Sequence, residues 1–397
     1  MRTVYIVEAV RTAIGRMGES LRTVPVDFLA AKVIEDIVNR TQIDKTAIDE
    51  VIMGHTKQSA DAPNLARLAL LRAGLPVEVP GYTIQRQCGS GLQSINNATQ
   101  QIMSGYADVV IAGGAESMST APFYMRDARY GTGTGNTLLL DPNTESQSRS
   151  QPIEEYGTLT MGYTAEILAE QYGISRQEQD EFALRSQELA LQSIREDRFK
   201  HQIVPYEVQT REGTRLFAVD EHPRMTTIEK LGALRPVFKE KGTVTAGNSS
   251  GRNDGASVVL LMSEDALHKY GLEPKAKIIS QAVSGVSPEI MGIGPVSSTQ
   301  KALARADLTL GQIGLIELNE AFAAQALSVL KRLDVDLAKV NVNGGAIALG
   351  HPLGATGTIL TTKLIHEMER SGERYGLVTL CIGGGQGITT VYENCNA

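Results

Sequence analysis

No apolar stretch in this 397-residue chain reaches the ~18 uninterrupted residues that a membrane-crossing helix needs. Basic runs are missing as well. The net charge is -7, the pI is near 5.5, and five or six consecutive Lys/Arg occur nowhere, which argues against a nucleic-acid footprint. Any anionic ligand must therefore be held by local groups. Cysteine is scarce: Cys88, Cys381 and Cys395 are too few and too scattered for a disulfide framework or a four-ligand zinc site. Each thiol has to be judged singly. The start, Val4-Tyr5-Ile6-Val7, has a strand pattern rather than that of a signal or transit peptide, so a cytoplasmic protein is expected.

A 42% hydrophobic content fills real cores, and the length suggests roughly 2 to 3 domains. Short apolar runs such as Asp108-Val109-Val110-Ile111-Ala112 alternate with amphipathic stretches such as Gly91 to Ser104, the signature of an α/β protein. Two segments are echoed later in the chain. Ile43 to Gly54 and Leu308 to Asn319 each run from a polar helix start to an apolar strand, and Val110-Ile111-Ala112-Gly113-Gly114 is matched by Leu380-Cys381-Ile382-Gly383-Gly384. Two similar halves follow, with 1–120 and 252–274 in the first and 275–397 in the second. Residues 121–251, rich in Gly, Ser, Thr and charge, form an inserted excursion that is expected to cover the site. Its helix, Ser175 to about Arg198, opens on a capping box of Ser175 and Glu178.

Four clusters carry candidate chemistry. Cys88 stands between a strand end and a helix start in Gln87-Cys88-Gly89-Ser90-Gly91-Leu92, where free amides and the macrodipole favour a thiolate. An isolated cysteine is more often packing, but the glycine-flanked turn argues for a nucleophile. Asn343 to Gly354 places His351 at another Gly-rich turn, where an imidazole can exchange protons near neutral pH; neither a nucleotide P-loop nor a dinucleotide fingerprint is present. Cys381 heads Cys381-Ile382-Gly383-Gly384-Gly385-Gln386-Gly387. It reads either as a small residue in a tight turn or as a second thiol meeting Cys88 where the halves pack. Asn319, after the strand Ile313 to Leu318, reads as a helix N-cap or an oxyanion donor. Cys395 has no such context and is taken as a bystander.

Taken together, Cys-Gly-Ser-Gly-Leu at 88–92, Asn-Glu-Ala-Phe-Ala at 319–323, Asn-Gly-Gly-x-Ile-Ala-x-Gly-His-Pro at 343–352 and Cys-x-Gly-Gly-Gly-x-Gly at 381–387 resemble the thiolase family in order and spacing. Thr243 to Ala256 and Met161 to Glu166 add two further matches. The resemblance implies a five-layer αβαβα fold of two similar halves with mixed sheets and an inserted loop domain. It implies that Cys88 is acylated with His351 as its base, that Cys381 moves the proton at C2 of a second acetyl group, and that two oxyanion holes form. One would use Asn319, through a held water, and His351; the other would use the amides of Cys88 and Gly383. Ser250, Met161, Arg224 and Phe238 would line a CoA pocket, with Met291 and Phe322 near the acyl end.

The activity implied is condensation of two acetyl-CoA to acetoacetyl-CoA and CoA, with no metal or redox cofactor, in a homo-oligomer, a dimer or tetramer. The near alternative is a degradative thiolase for longer 3-ketoacyl-CoA. The alternative from another class is a non-catalytic acyl-CoA or lipid-binding protein. Two departures bear on the pocket: Thr160 stands where many thiolases have His, and Gln85-Arg86-Gln87 stands where they commonly have an Asn.

Overall fold

The computed structural model describes residues 2–211 and 213–397. The first half supplies β1 (Val4–Thr12), α1 (Val26–Thr41), β2 (Glu50–Gly54), α2 (Leu65–Arg72), β3 (Gly81–Ile84), α3 (Ser90–Ser104) and β4 (Val109–Ser117). An excursion follows, with the helices α4 (Met161–Tyr172) and α5 (Arg176–Arg195). After it come β5 (Asn253–Ser263), β6 (Ala276–Gly285), α6 (Gly294–Ala306), β7 (Leu315–Leu318), α7 (Ala323–Leu333), α8 (Leu353–Ser371), β8 (Tyr375–Ile382) and β9 (Gln386–Asn394).

Strand pairing makes the internal likeness explicit. The series β1-β5-β4-β2 has two antiparallel pairs and then a parallel one, and β6-β9-β8-β7 repeats that pattern. The first half adds β3, parallel to β2, whereas the second has only a parallel bridge between Ile316 and Val340 in the corresponding place. The two mixed sheets are not separate. Tyr5 pairs with Lys277 and Ile6 with Ala276, which joins them into one ladder of 11 strands when the two-residue strands Gly15–Arg16 and Ile203–Val204 are counted.

Five layers result: α1 and α2, the first-half strands, α3 with α8, the second-half strands, and α6 with α7. A strand between two helix layers is buried on both faces, so its sequence does not alternate with polar residues. In β5, Val258, Leu260 and Met262 join the outer core with Leu29 and Ile34, while Val259 and Leu261 join the central core with Ile95 and Leu364. That is why Val258 to Met262 is an unbroken apolar run.

Helices α3 and α8 begin side by side, and glycine makes this possible. A Cβ on Gly91 would stand 2.8 Å from the Gly354 carbonyl oxygen, and one on Gly357 would stand 2.3 Å from the Leu92 nitrogen. The tightest position is Gly114 of β4, where a Cβ would lie 1.9 Å from that same Gly354 oxygen, a backbone atom with nowhere to go. Gly114→Ala is therefore expected to destabilise the fold by about 3 kcal/mol. Urea denaturation checks this; an unchanged midpoint would contradict the packing described.

The excursion between β4 and β5 is folded and pinned. Arg11 on β1 donates through Nη1 and Nη2 to the two carboxylate oxygens of Asp220 at 2.7 and 2.9 Å, and through Nε to Gln202 at 2.8 Å, all fully buried. The Ser175 and Glu178 capping box forms at the start of α5. That helix ends at Arg195, three residues short of the expected end, because Glu196 already leaves helical geometry.

Candidate active site

The loop from β3 to α3 holds Cys88 in a tight turn. Gln87 has a left-handed φ of 44°, unusual for a residue with a side chain. Ser90 holds it: its Oγ accepts the Arg86 N–H at 2.8 Å and donates to the Gln87 carbonyl at 2.6 Å. Gly89 then passes against the other half of the molecule, since a Cβ there would lie 2.6 Å from Ile382 Cδ1. Arg86 crosses the same boundary by donating to Gln386 Oε1 at 2.8 Å. Cys88 thus sits at the N-terminal end of α3, beside the end of β8.

His351 occupies the matching position before α8. Gly350, at φ 109°, turns the chain after the short helix Ala346–Leu349, and a Cβ there would collide with Asn253. Asn253, the first residue of β5, accepts the His351 backbone N–H at 2.9 Å. The ring is held at both nitrogens. Nδ1 is 2.7 Å from Thr356 Oγ1, whose own proton goes to the Pro352 carbonyl at 2.9 Å, and Nε2 faces Asn319 Nδ2 at 3.4 Å. With the Thr356 proton so used, the hydrogen-bond network assigns the imidazole proton to Nδ1. The Nε2 lone pair is left toward Asn319 and the cavity.

Cys381 lies within β8, paired with Gly387 of β9, so it is not part of the turn. The turn is Gly383-Gly384-Gly385, and its last two glycines both have φ of 85°. Asn319 is no helix cap either, because α7 begins at Ala323 with Phe322 as its cap residue. Its side chain is fully buried, and Oδ1 has no hydrogen-bond partner among the described residues.

One cavity is lined by Cys88, Cys381, His351 and Gly383 together. Two thiols almost three hundred residues apart in sequence therefore meet at one imidazole because the halves pack there. Ser250, Met161, Phe238, Met291 and Phe322 line the same cavity, with the Phe238 and Phe322 rings edge to face at 5.8 Å. Arg224 lies outside it. That residue is exposed and lines a separate hollow along α5 with Leu184 and Gln187, because Gln187 Oε1 holds its backbone N–H at 2.9 Å. Cys395 is exposed near the end of the chain.

Electrostatics at rest run against the expected ready thiolate. Cys88 is only partly exposed, and desolvation raises its pKa more than the Gly383 amide, the Lys57 charge and its own amide lower it. Burial raises the Cys381 pKa as well, and the Cys88 sulfur adds to that shift. Burial also pushes His351 down to about 4, so its ring is neutral at physiological pH. Between pH 6.5 and 4 the unfolded chain binds a proton here that the folded one does not. Acidification through that window should remove roughly 3 kcal/mol of stability, all of it retained above 6.5. A ring-nitrogen NMR titration is expected to show no His351 inflection near 6.5, and one there would overturn this assignment.

Several residues of the site escaped sequence reading. Lys57, Met118, Asn143, Ser146, Ser150 and Arg252 also line the cavity, and Asn253 and Thr356 orient His351. Of these, Arg252 and Asn253 stood inside a recognisable motif, Thr243 to Ala256. Thr160, one of the departures noted above, caps α4 by accepting the Tyr163 N–H at 3.3 Å.

Comparison with known proteins agrees along the whole chain. Residues 4–265 match the thiolase N-terminal domain and 272–394 the thiolase C-terminal domain. The acetyl-CoA acetyltransferase of Pseudomonas aeruginosa is 48% identical over 390 residues, 98% of each chain. Among solved structures, the Bacillus anthracis acetyl-CoA acetyltransferase superposes with a TM-score of 0.96 at 46% identity, covering 99% of both chains. Human mitochondrial 3-ketoacyl-CoA thiolase in complex with CoA gives 0.94 at 44% identity, covering 99% of this chain and 98% of that one.

Proposed function

This chain belongs to the thiolase family, and from that premise we propose that it is an acetyl-CoA C-acetyltransferase, joining two acetyl-CoA into acetoacetyl-CoA and CoA, and reversing the reaction, through an acetylated Cys88. The observation that carries this reading is the meeting of Cys88, Cys381 and His351 in one cavity.

The chemistry follows from the geometry. Because the resting Cys88 and His351 pair is neutral, no thiolate is stored; attack on the thioester carbonyl and transfer of the thiol proton to His351 Nε2 run together. The proton leaves on the sulfur of departing CoA. Acetylation leaves no ionisable group at Cys88, so the thiolate that forms at Cys381 in the second step meets no competing charge on that sulfur. Its proton passes to His351, and the Cys381 thiolate takes a proton from C2 of the second acetyl-CoA. The resulting enolate attacks the acetyl-Cys88 carbonyl, and the leaving Cys88 sulfur recovers the proton from His351.

Negative charge thus develops on oxygen twice, and fixed donors are needed at both places, each contributing about 3 kcal/mol. Asn319, through a held water, and His351 suit the enolate; the unpartnered Asn319 Oδ1 is free to accept from that water. The amides of Cys88 and Gly383 suit the tetrahedral intermediate, since both already favour negative charge at the Cys88 sulfur. The steps move only protons and an acyl group, so they call on no metal or redox cofactor. Ser250, Met161 and Phe238 are suited to the CoA arm, and Met291 with Phe322 to the acyl end.

We assign the enzyme to the cytoplasm as a homo-oligomer. Its three free thiols fit a reducing compartment, and Phe123, Tyr130, Leu138 and Leu139 leave large apolar side chains open on the excursion. Among the described residues no helix is long and apolar enough to cross a membrane.

A degradative 3-ketoacyl-CoA thiolase would use the same groups, and the human relative carries that name. Thiolysis rates across 3-ketoacyl-CoA substrates of increasing length separate the two. Acetoacetyl-CoA is expected to give the highest kcat/KM; a strong preference for long chains would reject the acetyl assignment.

A further inference from the structure

The catalytic cavity carries a buried cation that the steps above leave unused. Lys57 follows β2 and is only 7% exposed. Its Nζ donates to Ser146 Oγ at 2.6 Å and to the Pro142 carbonyl at 3.3 Å, both neutral acceptors, and among the described residues it forms no ion pair. The nearby carboxylate, Glu116, is occupied elsewhere. It accepts the backbone N–H groups of Thr56, Lys57 and Gly354 and the Thr56 hydroxyl, and has His55 Nε2 at 3.4 Å. An ammonium out of water without an anion is costly, and a leucine or methionine would fill the same space without that cost. Two groups of the cavity become anions during the reaction, Cys88 and Cys381, and of these it is Cys88 whose charge and that of Lys57 act on each other.

We propose that Lys57 is a positioning residue for the nucleophile: its ammonium, anchored on Ser146 and Pro142 in the cavity wall, is the counter-ion of the Cys88 sulfur as the thiol proton passes to His351. This rests on Cys88 being the nucleophile. Burial lowers the Lys57 pKa and raises that of Cys88, and the mutual influence has the required sign, because each charge offsets part of the other's shift. Other charged groups face Lys57. Glu116 and Asp141 favour its cation, Arg252 opposes it, and Glu116 also disfavours the thiolate. Burial holds His55 below its ordinary value, so that ring adds no cation at neutral pH. Lys57 is the only charged side chain among these that supports the thiolate against burial and Glu116.

The test is the pH dependence of iodoacetamide alkylation at Cys88, read on the Cys88 peptide so that Cys381 and Cys395 do not contribute. Lys57→Met and Lys57→Gln should move the inflection to higher pH by about one unit, making alkylation about tenfold slower at pH 8. Lys57→Arg should stay within about threefold of the native rate, as the charge is kept. Thermal melting establishes that each variant is folded, and the two neutral variants must agree. Coincident profiles for native, Met and Gln chains would overturn the proposal. So would unmoved alkylation combined with selective loss of turnover on an acyl-CoA bearing a terminal carboxylate, which would make the ammonium a substrate contact. If the native chain takes up no acetyl group from acetyl-CoA, the function reading fails, while the alkylation profiles still decide the role of Lys57.

Discussion

Mixed with acetyl-CoA, the Cys88→Ala chain gains no mass, whereas the native chain gains one acetyl group. Of the two thiols in the cavity, only Cys88 has both an exposed face and two backbone amides that favour negative charge at its sulfur. Cys381 is buried, which raises its pKa and leaves it no exposed face for an incoming thioester, so it cannot substitute as the attacking group. Acetoacetyl-CoA formation and thiolysis should both fall on the order of 10^4-fold or more, because removing a covalent nucleophile abolishes the route and not merely one contact. Alanine leaves the turn intact: the left-handed Gln87 is held by Ser90, and neither residue touches the deleted sulfur through a hydrogen bond. Intact-mass analysis reads the result directly. A native chain that remains unmodified would favour an acyl-CoA-binding protein without turnover.

Cys381→Ala should separate the two half-reactions. The variant keeps Cys88, His351, the Thr356 contact that sets the ring proton, and the Asn253 contact that sets the loop. Acetyl transfer to Cys88 therefore remains within about tenfold of native. Condensation should fall on the order of 10^3- to 10^4-fold, as expected when a group that moves a proton in the transition state is removed. The acetylated chain should accumulate. Deuterium exchange at C2 of an acetyl-CoA analogue gives a second readout, and it should be lost in this variant alone. Retained condensation would remove Cys381 from the mechanism and leave His351 as the only base in reach.

Reading the residues in order went far with the scaffold. The echo between Ile43 to Gly54 and Leu308 to Asn319 corresponds to β2 and β7, which occupy equivalent places in the two strand series. Local capping chemistry located α5, because Ser175 and Glu178 bond each other whatever surrounds them. The join between the halves was invisible: Tyr5 and Ile6 meet Lys277 and Ala276 through backbone groups, which leave no mark on residue type. The charge state of Cys88 was misjudged for a related reason. Helix position is a local property that a sequence displays, while desolvation depends on everything packed around the sulfur.

Lys57 shows the same divide at one residue. Between Thr56 and Gln58 it looks like an ordinary surface charge, and only the fold brings Ser146 across it and closes the cavity on it. What the sequence determined alone were the groups able to react and the short-range devices presenting them: glycines where the backbone must turn or approach, caps where helices start, and apolar runs where strands are covered on both faces. The tertiary structure decided which of those groups share a space and what charge each carries there, since proximity between residues 88, 351 and 381 and loss of water around them arise only when the two halves close on one another.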